Sequence, residues 1–357
     1  MPDERIISSV EAIREALTIA MHRNPGAYLI GEGVATRDGV FGTTTGLVEE
    51  FGPARVIEMP ISENGITGIA IGSALMGMHP IISHRRVDFA LLCLEQLFNG
   101  AAKSSYVSAG RHKVPLTVRM VIGRGWGQGP QHSQSLESMF ALIPGLKVVM
   151  PSTPHEFKGL LLAAIEDENP VVFLEHRWSH YATGHVPPEH YTVPLIGSRI
   201  VTEGSKVTIV ATSYMVLEAI QAAQALSDVG CLAEVIDVRV LRPLNMDPII
   251  DSVRKTGRLV TCDTGARQFG VGAEIVASVA EHVFGFQAIR IGLPDHPTPS
   301  CVALAESYYP SAVDIVEAVG KLCNLPRVWV AEASTAVIAA REGTPADKPD
   351  PSFKGPF

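Results

Sequence analysis

Short apolar runs alternate with segments of helical periodicity along most of the chain. The runs are rich in Val, Ile and Leu and are bounded by Gly and Pro, which is typical of buried strands in a parallel sheet. The segments between them are long enough for the crossover helices that parallel neighbours require. The pattern therefore predicts an α/β fold.

The first series of elements lies before residue 177. Its strands are predicted over residues 26–33, 54–59, 79–83, 116–123, 146–151 and 170–176. Its helices are predicted near residues 9–22, 65–78, 88–107, 134–142 and 155–168. A second series has strands over 206–212, 232–239, 258–263 and 288–293. The helices of that second series are predicted over 214–227, 246–256, 271–284 and 311–323.

A stretch rich in His, Pro, Gly and Tyr, residues 176–198, separates the two series and has no sustained period. A chain of 357 residues is also longer than one hydrophobic core usually grows. We therefore predict four parts, which are a first domain, a linker, a smaller second domain and a C-terminal arm, over residues 1–185, 186–204, 205–325 and 326–357.

Composition and charge argue against several classes of partner for this chain. The net charge is −8 and no Lys/Arg cluster is interleaved with aromatic residues, so no nucleic-acid partner is expected. No apolar run approaches the roughly 18 to 20 residues of a membrane span, so no membrane partner is expected either. The five cysteines are widely spaced, as in reduced core thiols. With no targeting signal visible, we expect a cytoplasmic location.

Glu63 is the first candidate for chemistry, in the stretch EMPISENGITGIAIGSALMG of residues 58–77. It stands between a predicted strand and a Gly/Ala-rich predicted helix. In one interpretation Ser62 caps the helix, and Glu63 favours its positive end. In the other, Glu63 lies in an apolar pocket, where a raised pKa lets it share a proton with a bound heterocycle. The motif alone does not separate the two.

His132 is the second candidate, within the glycine-rich run GRGWGQGPQHSQS of residues 123–135. The run follows a predicted strand, and α/β folds bind ligands at the carboxyl ends of parallel strands. The alternative is an ordinary solvated loop histidine. The stretch RDGVFG of residues 37–42 lacks the first glycine of a magnesium–diphosphate motif, and a P-loop is absent. The sequence therefore shows no phosphate-binding loop of its own.

Several longer motifs lie in order between residues 5 and 323. They are REALTIAM, PISENGITGIAIGSALMG, DFALLCLEQLFNGAAKSSYVSAG, QHSQSLESMFALIPGLKVVMPSTPHEFKGLLLAAIEDENPVVFLEH, AEVIDVRVLRPLNMDPIIDSVRKTGRLV and GVGAEI. Together they resemble the beta subunit of the thiamine-diphosphate-dependent, decarboxylating component of 2-oxoacid dehydrogenases, such as pyruvate or branched-chain 2-oxoacid dehydrogenase. The resemblance implies a parallel-sheet, pyrimidine-binding domain followed by a smaller transketolase C-terminal-like α/β domain.

The resemblance also implies a function. The chain would be an oxidoreductase subunit that decarboxylates a 2-oxoacid and passes the acyl group to a lipoyl group on a partner acyltransferase. It would work in a heterotetramer of two alpha and two beta subunits. The alpha subunit would hold the magnesium ion and the diphosphate, and the beta subunit would cover the aminopyrimidine of the cofactor.

Site residues follow from the same resemblance. Glu63 matches the glutamate that binds the aminopyrimidine ring nitrogen and activates the cofactor. His132 matches a histidine at the mouth of the site that handles protons or charge during acyl transfer, and Phe89 matches an aromatic against the aminopyrimidine. A monovalent cation, K⁺, is bound in some members at positions that match Leu116, Ala164, Ile165, Asp167 and Asn169. The alternative for these last residues is an ordinary helix ending.

The segment Ser83-His84-Arg85-Arg86 departs from the family pattern. By register, Arg85 lies where a methionine packs the aminopyrimidine, so it is expected at the cofactor near Glu63. A guanidinium within about 4 to 6 Å would lower the pKa of that acid. We hypothesise that Arg85 or His84 binds an anionic substrate group, with a solvated or subunit-facing basic cluster as the alternative. The arm beyond about Val328 is also longer than the family suggests.

Two other functions remain open on the sequence. One is a two-subunit, transketolase-like ketol or acyl transferase that acts on an aldehyde or another acceptor. The other is a non-catalytic scaffold subunit, against which the presence of both Glu63 and His132 argues.

Overall fold

The computed structural model describes residues 5–124 and 127–341. In the first part of the chain the strands are β1 (Ile6–Ser8), β2 (Ala27–Gly31), β3 (Val56–Glu58), β4 (His79–His84), β5 (Thr117–Ile122), β6 (Lys147–Val149), β7 (Val171–His176) and β8 (Thr183–His185). The α-helices there are α1 (Ser9–Arg23), α2 (Leu47–Phe51), α3 (Glu63–Leu75), α4 (Val87–Ala90), α5 (Ala102–Val107), α6 (Glu137–Ala141) and α7 (Pro154–Glu166).

The second part of the chain continues the same alternation. Its strands are β9 (Arg199–Thr202), β10 (Val207–Ala211), β11 (Ala233–Asp237), β12 (Val240–Arg242), β13 (Arg258–Ala266) and β14 (Gln287–Leu293). Its helices are α8 (Met215–Asp228), α9 (Asp247–Thr256), α10 (Val271–Ala280), α11 (Val302–Tyr308), α12 (Ala312–Leu322) and α13 (Arg327–Ala340).

Two mostly parallel sheets organise these elements within the described residues. The larger has the strand order β12-β6-β7-β5-β4-β2-β3 and the smaller has the order β14-β13-β10-β11-β9. In the larger sheet, alternate residues of β2 enter different cores: Leu29 packs with helices α1 and α7, whereas Tyr28 and Ile30 pack with α3. Both faces are thus covered by helices, as the continuous apolar runs predict. The predicted α/β fold with two domains is confirmed.

Three local features differ from the predictions. The helix predicted over 88–107 is broken, because a 3₁₀ turn at Leu91–Cys93 and a π-helical turn at Gln96–Ala101 separate α4 from α5. Helix α3 begins at Glu63, two residues earlier than predicted. The predicted arm contains helix α13, which packs on α8 and α12 and buries Ala333. Its C-terminal residues 342–357 lie outside the described residues.

The two sheets meet at their carboxyl edges. Strand β12 belongs to the second part of the chain but pairs antiparallel with β6, where Val240 opposes Val149. The backbone amide of Met150, just after β6, donates to the carbonyl of Arg239 at 2.8 Å. Strand β9 is likewise antiparallel to β11. The joint between the domains is therefore a shared sheet edge, which a purely parallel pattern did not predict.

Aromatic and charged side chains fill the rest of this joint. The His176 ring stacks on Tyr214 with ring centroids 5.0 Å apart. The Arg124 guanidinium lies 3.7 Å from the ring centroid of Trp178 and 4.7 Å from that of Tyr309. His176 ends β7 and Arg124 lies just after β5, both in the larger sheet, whereas Tyr214 follows β10 of the smaller sheet. The carboxyl edges of both sheets therefore face each other here.

Among the helices of residues 5–124 and 127–341, none has both the length and the apolar character that a membrane crossing requires.

Candidate active site

The candidate site lies at the carboxyl edge of the larger sheet, on the side of β4, β2 and β3. Parallel strands end together at one edge, so residues that follow them in sequence come close in space. Glu32 follows β2, Glu58 ends β3, and Arg85 follows β4. Helix α3 starts shortly after β3 and places Glu63 at its first position.

Glu63 is buried, with 4% of its surface exposed. Ser62 makes no side-chain capping bond to α3, so the interpretation of this segment as a simple helix cap is not supported. Oε2 of Glu63 is buried and has no hydrogen-bond partner among the described residues. An acid oxygen buried without a partner costs free energy, so such atoms in a native fold call for a ligand, a water or another chain. Glu63 is therefore suited to accept a hydrogen bond from a bound ring.

Glu32 forms an acid pair with Glu63 and was not predicted from the sequence. Burial raises the pKa of Glu32, and the nearby charge of Glu63 raises it further. Oε1 of Glu32 is also buried without a partner within the described chain. A like charge nearby disfavours the ionised form of the Glu32 carboxyl group. The signal in the sequence was an acid between two glycines, GEG, after a buried strand.

Gly33 shapes the loop beside these acids. Its φ of +72° is a left-handed conformation that favours glycine. Glu58 holds the loop in place by accepting from the backbone amides of Gly33 at 2.6 Å and of Ala35 at 2.9 Å. The exposed Arg85 guanidinium lies over Gly33, with Cζ 3.7 Å from where a Cβ atom would be. Its positive charge acts on Glu32, whose pKa it lowers against the larger effect of burial.

His84 lies beneath the site rather than in it. It is 2% exposed, and its Nε2 is 3.2 Å from Oγ1 of Thr67, which donates to the backbone carbonyl of Glu63 at 2.8 Å. Burial lowers the pKa of His84 to about 4. The imidazole is consequently neutral near pH 7, which is unsuited to binding an anion. Of the two residues in the anion hypothesis, only Arg85 is both charged and accessible.

Phe89 and His132 are brought together by the fold. Their ring centroids are 5.2 Å apart and the rings are perpendicular, in an edge-to-face contact. Phe89 is half-buried on helix α4, whereas His132 is exposed. Residues 125 and 126 of the glycine-rich run lie outside the described residues. The pair combines an apolar ring with an exposed imidazole, which is the chemistry expected at the mouth of a site.

The residues matched to a monovalent cation lie at the opposite, amino edge of the sheet. Leu116 precedes β5 and its carbonyl accepts from the amide of Val171 at 2.9 Å. Asp167 caps α7, accepts from the amide of Asn169 at 2.9 Å and forms an ion pair with Lys147. The carboxylate is therefore already neutralised, and a cation here would depend on backbone carbonyls such as those of Ala164 and Ile165.

Comparisons with known proteins show the class of protein to which this chain belongs. The transketolase pyrimidine-binding domain matches residues 6–181, and the transketolase C-terminal domain matches residues 197–315. A solved chain titled split gene transketolase, inactive beta4 tetramer, has a TM-score of 0.73 and 25% identity, and covers 89% of this chain and 99% of its own. The fold and the site thus define a transketolase-like, thiamine-diphosphate-dependent class of protein.

Similar proteins narrow the class further. The beta subunit of acetoin:2,6-dichlorophenolindophenol oxidoreductase from Bacillus subtilis is 41% identical, over 90% of this chain and 98% of its own length. The beta subunit of the pyruvate dehydrogenase E1 component from Rickettsia felis is 40% identical, over 88% and 97%. The mitochondrial pyruvate dehydrogenase E1 beta subunit of Pisum sativum is also 40% identical, over 88% and 89%.

The chain therefore belongs to the family of transketolase-like beta subunits that includes those of pyruvate dehydrogenase E1 and acetoin oxidoreductase. The resemblance read from the sequence motifs is confirmed. Membership among beta subunits implies a second, alpha-type subunit in a tetramer.

Proposed function

We propose that this chain is the beta subunit of a thiamine-diphosphate-dependent 2-oxoacid dehydrogenase, active together with an alpha subunit in a tetramer of two alpha and two beta chains. The observation that supports this most is Oε2 of Glu63, which is buried in a chain of this family and has no partner in the part of the chain that the structure describes. The alpha subunit would supply the magnesium ion and the diphosphate site. A lipoyl acyltransferase as acceptor and a cytoplasmic location are further parts of the proposal.

In this proposal the residues of the chain have separate tasks. Bound thiamine diphosphate supplies the carbon nucleophile that allows a 2-oxoacid to lose carbon dioxide. Glu63 binds the aminopyrimidine ring nitrogen and moves a proton at that atom. Glu32 lies beside Glu63 and supplies a second buried acid oxygen at the site. Phe89 packs against the ring, and the exposed His132 handles protons when the acyl group leaves.

Arg85 is proposed to contact the cofactor or substrate from the open side of the site. Its charge acts on Glu32, and its exposed position lets it reach an anionic group of the substrate. A K⁺ ion at Leu116, Ala164, Ile165, Asp167 and Asn169 is proposed as a structural element only, because these residues lie at the other edge of the sheet.

The test uses the chain assembled with its alpha subunit, thiamine diphosphate and Mg²⁺. Reduction of 2,6-dichlorophenolindophenol is measured with pyruvate, a branched-chain 2-oxoacid and acetoin as substrates. We expect Glu63→Gln to lower kcat by about 10²- to 10⁴-fold, because proton transfer by a positioned acid contributes this much. The exposed Glu306→Gln is the control, with turnover within about twofold of wild type. A Glu63→Gln tetramer as active as wild type would support the scaffold alternative.

A second candidate function is ketol transfer, which the likeness to a split-gene transketolase favours. The two activities differ in the acceptor of the acyl or ketol unit. Acylation of an isolated lipoyl domain supports the dehydrogenase, whereas carbon–carbon bond formation with an added aldehyde, without lipoyl acylation, supports the transferase. Both products are separable by mass spectrometry.

A further inference from the structure

The segment after β4 contacts the loop that carries His132. We define the His132 loop as residues 127–134. Its end is tied to β5, because the amide of Gly123 donates to the carbonyl of Gln134 at 2.9 Å. Asp88 accepts from the backbone amide of Gln134 at 3.3 Å and from its side-chain amide at 2.8 Å. One end of the loop is therefore fixed by Asp88 and by the end of β5.

Arg86 reaches further into the same loop. Its guanidinium donates to the backbone carbonyl of Gly123 at 3.4 Å and to Oε1 of Gln128. The side chain is 3% exposed. Burial lowers the pKa of Arg86 to about 10, and the carboxylate of Asp88 opposes that effect, so the group is a cation near pH 7. A buried cation that donates to two carbonyl oxygens joins the end of a strand to the middle of the loop.

The geometry leaves His132 dependent on these attachments. The imidazole is exposed, and within residues 5–124 and 127–341 the backbone amide of His132 makes one long hydrogen bond, of 3.4 Å, to the carbonyl of Gly129. Phe89, three residues after Arg86, supplies the ring against which His132 rests. The same short segment, residues 86–89, thus holds the loop at Gln128 and Gln134, binds Gly123 just after β5, and provides the ring that His132 contacts.

We propose that Arg86 is a positioning residue that fixes the His132 loop against Phe89 by bridging Gly123 and Gln128. This explains part of the departure at Ser83-His84-Arg85-Arg86, because Arg86 points into the protein whereas Arg85 is exposed. The inference rests on the proposed function only where it assigns His132 a role in turnover. Whether Arg86 holds the His132 loop in place can be tested without measuring turnover.

The first measurement is hydrogen–deuterium exchange of the assembled tetramer. In Arg86→Met we expect exchange at the amides of Gly123 and Gln134 to accelerate by about 10-fold or more. Without the bridge from Gly123 to Gln128 the loop opens more often, and with it the bonds of these amides to Gln134 and Asp88. Peptides from the second domain should be unchanged. Arg254→Met is the matched control, since Arg254 is an exposed arginine paired only with Asp251 among the ion pairs of the described residues. Unchanged exchange in the His132 loop would overturn the proposal.

The second measurement is a double-mutant comparison of kcat. We expect Arg86→Met to lower kcat about 10-fold in the presence of His132 and less than about twofold in a His132→Ala background, because it acts through that histidine. The KM for thiamine diphosphate should stay within about twofold. Arg86→Lys should recover part of the loss, since an ammonium can keep one of the two bonds. Equal losses in both backgrounds would show a general structural role and would contradict the proposal.

Two controls distinguish a variant that fails to assemble from a proposed function that is wrong. If Arg86→Met does not assemble, Gln128→Ala removes the same bridge from the loop side and is expected to give the same exchange result. If the unaltered tetramer turns over none of the substrates, the proposed function is wrong, while the exchange measurement still decides whether Arg86 holds the loop.

Discussion

The two sheets have the same construction but use their carboxyl edges differently. The edge of the larger sheet beside β4, β2 and β3 leaves oxygens of Glu63 and Glu32 buried without partners inside the described chain. The edge of the smaller sheet is closed by the first domain. There Asp237 accepts from Oγ of Ser152 at 2.6 Å, and Asp263 accepts from the amide of Gly272 at 2.8 Å. The two edges thus differ in what packs against them, because the first domain covers the edge of the smaller sheet, where Asp237 bonds to Ser152 of the first domain.

The comparison shows that a buried acid at the end of a parallel strand does not by itself mark an active site. Burial raises the pKa of Asp263 to about 7, and the nearby Glu137 contributes to the increase. Such a shift is as large as those found in catalytic acids. Unpaired acid oxygens occur at both edges, since Oδ1 of Asp237 and Oε2 of Glu137 also have no partner among the described residues. What distinguishes Glu63 is its place beside Glu32 and the exposed Arg85, on the side of β4, β2 and β3 away from the joint with the second domain.

The largest effect is expected on stability, from Asp263→Asn at the carboxyl edge of the smaller sheet. The folded pKa of about 7 lies above the ordinary value of 3.8, so the folded state favours the protonated acid. The contribution of Asp263 to the free energy of unfolding is fully present below about pH 4. It is lost as the pH rises through about 7, by about 4 kcal/mol at most. The amide side chain of the variant would keep the bond from Gly272 without the charge. We therefore expect urea unfolding to show a smaller loss of stability between pH 5 and 8 in the variant.

The control for this measurement is Asp251→Asn, an exposed acid that should leave the pH profile unchanged. A variant with the same loss of stability as wild type would show that Asp263 is not held protonated, and the closed edge would then differ less from the open one.

A smaller effect is expected at the open edge, through Arg85→Met. If the exposed guanidinium contacts an anionic group of the substrate, the ratio of kcat/KM for dicarboxylic over simple 2-oxoacids should fall about 10-fold. Arg254→Met again serves as the control. An unchanged ratio in Arg85→Met would end the anion hypothesis and would leave Arg85 as part of a solvated or subunit-facing cluster.

The smallest effect is expected at the amino edge of the larger sheet. If a K⁺ ion is bound by the carbonyls near Asp167, KCl should raise Tm by about 2 to 4 °C over choline chloride of equal ionic strength. The ion pair of Asp167 with Lys147 limits the gain, because the carboxylate is already neutralised. Equal Tm values in both salts would favour the ordinary helix ending.

The sequence predicted the fold well where periodicity and buried strands dominate. It also singled out Glu63, Phe89 and His132, of which the structure brings the last two into contact; their catalytic roles stay predictions. Glu32 was missed because its partner lies 31 positions away, on the next α/β unit, so that only the sheet order brings the two acids together. The limits set for the domains and the linker also stay predictions.

Other features depended on long-range contacts that no local pattern records. Strand β12 has only three residues, and its partner β6 lies in the other domain. Arg85 and Arg86 are adjacent in sequence, but Arg85 is exposed and Arg86 is buried, because the chain bends at Arg85 just before helix α4 begins at Val87. The helix at Arg327–Ala340 was overlooked because its apolar face is narrow, with Ala333 and Val337 as its buried residues.

The pairing of β12, from the second part of the chain, with β6 of the first part affects how the protein can be divided into fragments. A fragment ending near residue 185 would lose β12, one of the two neighbours of β6. It would expose an unpaired strand edge to solvent, at which strands of other fragments could pair. It would also uncover the apolar side chains that now meet Ile236, Val238 and Leu241. Neither half is thus expected to behave as a free-standing module, and genetic fusions or truncations should respect the whole span from β1 to α13.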